Sequence, residues 1–454
     1  MSTPEAPVEP PRPDVAPPAP WSFPTPQTAA LPGGARVIWY DVPGQHVWSV
    51  RVGIPAPLAG EPRAIEGVGT LMARLLDEGS TEHDTEEMAE LIERRGVAIG
   101  AGVGERGLVV ELEVTRRYLS EALDLLAEVV MRPAFPEAQV RRHVRTRLAE
   151  IEHDVHHPGQ RAAIAFAQAF YPEQDRLSRP TGGTPESVAA LTREDVAAYH
   201  RRVVSPAGAT VVVVGDIGGL DVPAEVARAY AGWQGSPAAP VGAAPAPRPD
   251  ASRIVVVDRP GSVQSELYVG CAGPGRAVAG GWAPYPVLGY LLGGSPQARL
   301  DAVLREDKGY TYGMRAGFRP RRDGGLFLTS GSVRTEVTAD ALRLTLDILD
   351  AGRDGFTDRE VAEGVDFLRQ TAPGRFATAE DVADEAIARA MEGLTTEHTT
   401  QVLHDMAALT PKRLRRAYRD WVDGAWTSVI VGDAAAIADD LAALGRGEVQ
   451  VLPG

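Results

Sequence analysis

The chain has 454 residues, 44% of them hydrophobic, and 61 acidic against 46 basic side chains give it a formal charge of −15. That length implies two or more domains with sizeable cores, and the acidic surplus argues against a phosphate-backbone binder, so no nucleic-acid partner is expected. One cysteine, Cys271, rules out an internal disulfide framework or a thiolate metal cluster and fits a reducing compartment, read here as the cytoplasm.

In chain order, residues 1–30 are rich in Pro and Ala and hold no apolar run that would make a signal peptide or a membrane span. They read as a disordered arm, and no membrane partner is expected. A first domain over 31–234 begins with "VIWYDVPGQHVWSVRVGI", two strands about an Asp-x-Pro-Gly turn. The stretch "GVGTLMARLLDEGST", 67–81, predicts a short amphipathic helix entered through glycines and left through a Gly-Ser-Thr turn. "AELIERRGVAIGAG" predicts a helix stopped by Gly96 and followed by an alternating strand. In "RLAEIEHDVHHPGQ" His153 and His157 have helical i, i+4 spacing, which admits a substitute metal site. Pro158, however, ends the helix there and leaves the histidines at a solvated C-terminus that suits imidazolium. "LTREDVAAYHRRVVSPAGATVVVVGDI", from Leu191, predicts a Thr-capped helix and a β-branched strand ending in Val-Gly-Asp.

Residues 235–252 are Pro/Ala/Gly-rich and without periodicity, a linker. A second domain over 253–454 then repeats the first. "IVVVDRPGSVQSELYVGC" restates the opening strands, "AVLREDKGYTYGMRAG" the helix–Gly–strand step at Gly309, and "LTPKRLRRAYRDWVDGAWTSVIVGDA" the closing helix and strand. Asp41 and Asp258 are 217 positions apart, as are Gly215 and Gly432. Each half therefore predicts an α+β domain, a mainly antiparallel sheet with helices packed on one face. The linker is long enough for the halves to close like a clam shell about a ligand cleft.

The duplication, the "VDRPGSVQS" turn, "LLGGSPQARLDAVLREDKGYTYG" and the repeated Val-Gly-Asp strand ending resemble the insulinase/pitrilysin superfamily, in particular its two-domain bacterial subunits similar to mitochondrial processing peptidase. The resemblance implies a His-x-x-Glu-His zinc motif on a first-domain helix, with a distal Glu as third ligand. The frame of that motif is "GVGTLMARLLDEGST", but its chemical positions read Thr70, Ala73 and Arg74. Threonine is a poor zinc ligand, alanine accepts no proton and arginine repels a cation. The distal position remains as Glu150, 76 residues beyond Arg74. Arg74 is expected to stand in for the metal and pair with Glu150; the bland alternative is a solvated Glu150.

The resemblance also implies an Arg/Tyr pair that binds substrate and stabilises the attacked carbonyl, here Arg305 and Tyr312 in "VLREDKGYTYG". The alternative is an Arg305 that caps the helix or pairs with Glu306 or Asp307, and a sheet-packed Tyr312. Together these features imply a pseudo-peptidase: no cofactor in this chain, zinc in a partner, and a heterodimer with a His-x-x-Glu-His paralogue acting on extended peptide. Two other readings stay open: a structural or assembly protein without proteolytic role, and an atypical zinc peptidase with rebuilt ligands. Whether the chain is an enzyme by itself is left undecided.

Overall fold

The computed structural model describes residues 20–244, 247 and 252–454. The strands of the first half are β1 (Gln27–Ala30), β2 (Arg36–Asp41), β3 (Val47–Ile54), β4 (Ala98–Gly104), β5 (Gly107–Thr115) and β6 (Thr210–Gly215). Those of the second are β7 (Arg253–Asp258), β8 (Gln264–Gly273), β9 (Arg315–Pro320), β10 (Gly325–Arg334), β11 (Thr427–Gly432) and β12 (Glu448–Leu452). They form two six-stranded sheets in the orders β1-β2-β6-β3-β5-β4 and β12-β7-β11-β8-β10-β9. Strands β2 to β6 and β7 to β11 thus follow one plan: a parallel pair (β2/β6, β7/β11) continued by antiparallel neighbours. The outer edges differ in origin. β1 precedes β2 and pairs antiparallel, whereas β12 comes from the end of the chain and pairs parallel to β7.

The repeat extends to single hydrogen bonds. Asp41 accepts from the Ile217 amide and Asp258 from the Ala434 amide, each at 3.0 Å, while Gly44 and Gly261 donate to Asp216 and Asp433. These carboxylates tie the Asp-x-Pro-Gly turn to the loop after the closing strand, which explains why both halves keep Asp at both places.

On the inner face, Trp48, Val50 and Val52 of β3 and Val211 and Val213 of β6 meet Leu123 and Leu126 of helix Leu119–Met131 and Val196 of helix Arg193–Val203. Leu267 and Val269 of β8 meet Leu288 of helix Pro284–Gly293 and Leu342 of helix Thr338–Ala351. The α+β class and two-domain plan are as the sequence implies. The outer faces add something else, because each sheet is also covered by a helix from the opposite half. Helix Ala379–Met391 lies on β3 and β6, burying Ile38, Tyr40, Val212 and Val214. Helix Pro158–Phe170 lies on β11 and β8, burying Val429 and Val431 and packing against the half-buried Tyr268. Arg51, 1% exposed on β3, reaches Asp384 of the incoming helix at 2.7 Å as well as Glu113 of its own sheet at 2.7 Å. The two halves are thus locked together through exchanged helices.

Other expectations are revised in detail. Residues 1–19 of the arm lie outside the described residues, but 20–30 are ordered: Trp21 stacks on Phe376, Phe23 is buried and β1 joins the first sheet. Those aromatics gain burial that the Pro/Ala composition around them concealed. The helix expected across 67–81 spans only Val68–Ala73, and five of its six residues are buried, so it has no polar face of its own. Of the linker, 245, 246 and 248–251 fall outside the described residues, while Gly242 and Ala244 hydrogen-bond the β9–β10 turn through Arg322 and Asp323. Cys271 is buried in β8. No described helix is long and apolar enough to cross a membrane.

Candidate functional site

The helix Val68–Ala73 is too short to hold itself, and buried charge fixes its start. Glu61, buried, accepts from the Gly67 and Gly69 amides at 3.3 and 2.8 Å, supplying the cap that no side chain next to the helix provides. Arg176 answers that carboxylate at 2.8 Å and spends its remaining donors on the carbonyls of Arg179, Pro180 and Thr181. Gly67, at φ 97°, lies against Gly182, where an added Cβ would meet the carbonyl oxygen at 2.8 Å. The loop 179–183 and the start of the helix are thus clamped together.

This clamp positions Thr70 beside the 179–183 loop and Arg74 against the long helix Glu137–His156. Thr70 Oγ1 donates to the Thr181 carbonyl at 3.3 Å and Ala73 is buried. Arg74 Nη1 lies 2.7 Å from Glu150 Oε1, and Arg147 Nη1 takes the other oxygen at 3.0 Å. The expected contact between Arg74 and Glu150 is present, and Glu150 is not a free solvated side chain. Its carboxyl is held below the usual range by the Arg74 hydrogen bond, with burial opposing and Arg147 assisting. Arg147 was not singled out from the sequence, although its i, i+3 spacing from Glu150 was the available signal. Glu61 and Arg176 were also missed, since nothing local links residues so far apart in the chain.

These side chains do not suit a zinc ion. Four-coordinate zinc needs deprotonated or neutral nitrogen, sulfur or oxygen donors with room between them. Here the Glu150 carboxylate is already neutralised by two guanidiniums. Beyond the end of the short helix Glu78 lies 2.8 Å from His143 Nε2 and also contacts Arg142, while burial raises the neighbouring Asp77 carboxyl. His153 and His157 lie at the break between helices Glu137–His156 and Pro158–Phe170, ring centroids 5.7 Å apart. Among the described residues no cluster of three or more His, Cys, Asp or Glu is placed to hold a metal.

The second candidate group lies elsewhere. Residues Ala302–Asp307 form a π turn, with Lys308 and Tyr310 amides bonded to the Val303 and Leu304 carbonyls, closed by Gly309 at φ 60°. Such widened turns recur at functional positions because they re-aim side chains. This one turns Arg305 toward the loop before β9, where Tyr312 stands 93% exposed. Both line an open cavity of about 640 Å³ together with Gln264, Thr311 and Arg334. Arg305 has only a loose contact to Glu306, 3.4 Å away, whereas Tyr310 is tied to Asp340 at 2.9 Å. Tyr312 is therefore not packed in the sheet, while Arg305 meets the alternative reading in part through its contact with Glu306. Among the described residues, none of the Thr70–Glu150 group lines this cavity.

Comparison with known proteins gives a consistent picture. The family model of insulinase (peptidase family M16) matches residues 36–184, and that of the peptidase M16 inactive domain matches 190–368. An uncharacterized zinc protease of Mycobacterium tuberculosis H37Rv is 27% identical over 350 residues, covering 75% of this chain and 78% of the relative. One from Streptomyces coelicolor is 26% identical over 353 residues, 76% of each. Among solved structures, a peptidase M16 inactive domain from Pseudomonas fluorescens superposes with a TM-score of 0.83 at 24% identity, covering 90% of this chain and 98% of that one. A protease from Helicobacter pylori does so at 0.81 and 17%, covering 90% and 100%. With both halves of the duplicated fold matched in order, the chain belongs to the insulinase family of peptidases, family M16.

Proposed function

We propose that this chain is the zinc-free subunit of a two-component M16 peptidase, binding extended peptide and completing the active site of a His-x-x-Glu-His-bearing paralogue. The observation that carries the reading is a contrast between the two groups. The Val68–Ala73 end holds an Arg74–Glu150 ion pair, while the exposed Tyr312 and Arg305, whose ion-pair contact is to the adjacent Glu306 at 3.4 Å, line one cavity. A guanidinium and a phenol aimed into one cavity are suited to a carbonyl that gains negative charge during attack. The zinc and the general base then belong to the partner. Peptide adds as a strand to a free sheet edge, for which the Ala/Gly-rich β4 offers little side-chain obstruction.

The test is reconstitution with the paralogous subunit of the same organism that carries His-x-x-Glu-His. Arg305→Ala and Tyr312→Phe in this chain are each expected to lower kcat for peptide cleavage by about 10²–10³, the usual loss of one oxyanion donor, while co-purification stays intact. Full activity with both variants, or an assembled pair that cleaves no peptide, favours a purely structural subunit.

A further inference from the structure

Helix Pro158–Phe170 covers the outer face of the second sheet over β11 and β8 but stops short of the β10–β9 end. Between that end, the helix and the loop 177–181 lies a cavity of about 310 Å³. Its floor is Leu326 and Leu328 of β10, and Phe166 forms a wall. Arg319 pairs in register with Leu326, which puts it on the same face, and Arg321 follows two residues later.

Part of the polar lining is already paired, Arg179 with Glu66 at 2.8 Å, but part is not. Tyr171 is 7% exposed, and its hydroxyl makes no hydrogen bond among the described residues, with the Arg321 guanidinium nearby but out of good geometry. Among the described residues Arg321 Nε is buried without an acceptor, and its Nη1 is 3.7 Å from Glu105 Oε2, a carboxylate that also takes the Arg322 amide at 2.8 Å. The charged and titratable groups acting on Arg319 are Arg321, Tyr268 and Tyr171, none of them a carboxylate. Burial, then the Arg321 charge, lowers the Arg319 pKa, and burial raises that of Tyr171. Two guanidiniums and a phenol thus line one cavity of mixed polarity: Glu105 lies 3.7 Å from Arg321 and the Asp175 charge acts on Tyr171, but no carboxylate acts on the exposed Arg319, so an anion seated between Arg319 and the buried Tyr171 hydroxyl would be met by both.

We propose that this cavity binds a carboxylate borne on an apolar group, with Arg319 and Arg321 holding the anion, Tyr171 donating to it, and Phe166, Leu326 and Leu328 enclosing the apolar part. Its volume is at the lower end of ligand sites, about 300–1,000 Å³, which admits one apolar residue or a small organic acid rather than a length of peptide. Two sources share that chemistry, the C-terminal carboxylate of a peptide ending in an apolar residue and a free organic acid. The site shares no residue with the Arg305–Tyr312 cavity, so it does not rest on the subunit reading.

The experiment is titration calorimetry on the full chain with N-acetyl-L-phenylalanine, octanoate and a hexapeptide ending in leucine, the first and last also as their C-terminal amides. An acid is expected to bind, its amide at least about tenfold more weakly, and Arg319→Gln and Tyr171→Phe are each expected to lower affinity by about tenfold. Binding by the peptide acid assigns a peptide terminus, and binding by the small acids alone assigns an organic acid. Arg319 is on a partly solvated edge strand, so Arg319→Gln leaves the fold intact, and an unchanged thermal melt checks this. The proposal is overturned if no acid binds at millimolar concentration, if amides bind as well as acids, or if a folded Arg319→Gln binds as the parent does.

Discussion

At Arg74 a guanidinium holds the Glu150 carboxylate at 2.7 Å. Because the folded-state pKa of Glu150 is depressed, first by Arg74 and then by Arg147, the pair contributes stability at pH values above the ordinary carboxyl value of 4.5. That contribution is lost as pH falls through the lowered value. Arg74 and Glu150 are each 35% exposed, so solvent screens the pair. Arg74→Ala is expected to cost about 0.5–1 kcal/mol at pH 7, and the difference from the parent should shrink in melts taken from pH 4.5 downward. A difference independent of pH would assign the loss to packing of the side-chain stem instead. The charges of this pair could be read from the sequence once the motif frame was in register. Their exclusivity could not, because Arg147, the second cation on Glu150, reads as one more charged residue on a mostly polar helix.

Among elements, the exchanged helices most resisted reading from sequence. Helix Ala379–Met391 has an ordinary apolar stripe, and periodicity says that such a stripe is buried without saying against what. The strands were legible, from their alternation and turn chemistry, and so was their repetition. A retrospective signal exists in "VRVGI" and "LYVGC", where each half places a glycine inside a buried strand. Gly53 makes room for Ile387 and Met391, and Gly270 for Phe166; an added Cβ would stand 2.6 Å from Ile387 Cδ1 or 2.7 Å from Phe166 Cζ. A strand glycine often marks such a close approach. Gly53→Val is expected to destabilise by about 1–3 kcal/mol through overpacking, read as a lowered midpoint in chemical denaturation. Gly102, on the edge strand β4 with open space around its Cα, should tolerate alanine with little change and serves as the control.

For the whole molecule, two repeated folds behave as one body because each supplies a missing layer of the other. Either half alone would leave an apolar sheet face bare, Tyr40, Val212 and Val214 in the first and Val429 and Val431 in the second. Uncovered patches of that kind drive association. Segments 20–244 and 252–454 expressed separately are therefore expected to aggregate, and co-expressed to copurify as a stoichiometric pair; soluble, monodisperse single halves would contradict this. The sequence disclosed two units and a connector, but composition and spacing carry no record of which helix crosses over. The crossing also changes what the connector is for. In a hinge, peptide continuity between lobes is the mechanism. Here the lobes grip one another like clasped hands, so a nick in the Pro/Ala tether should leave a native dimer of fragments, and the tether serves mainly to keep each lobe's mate at high local concentration while the chain folds.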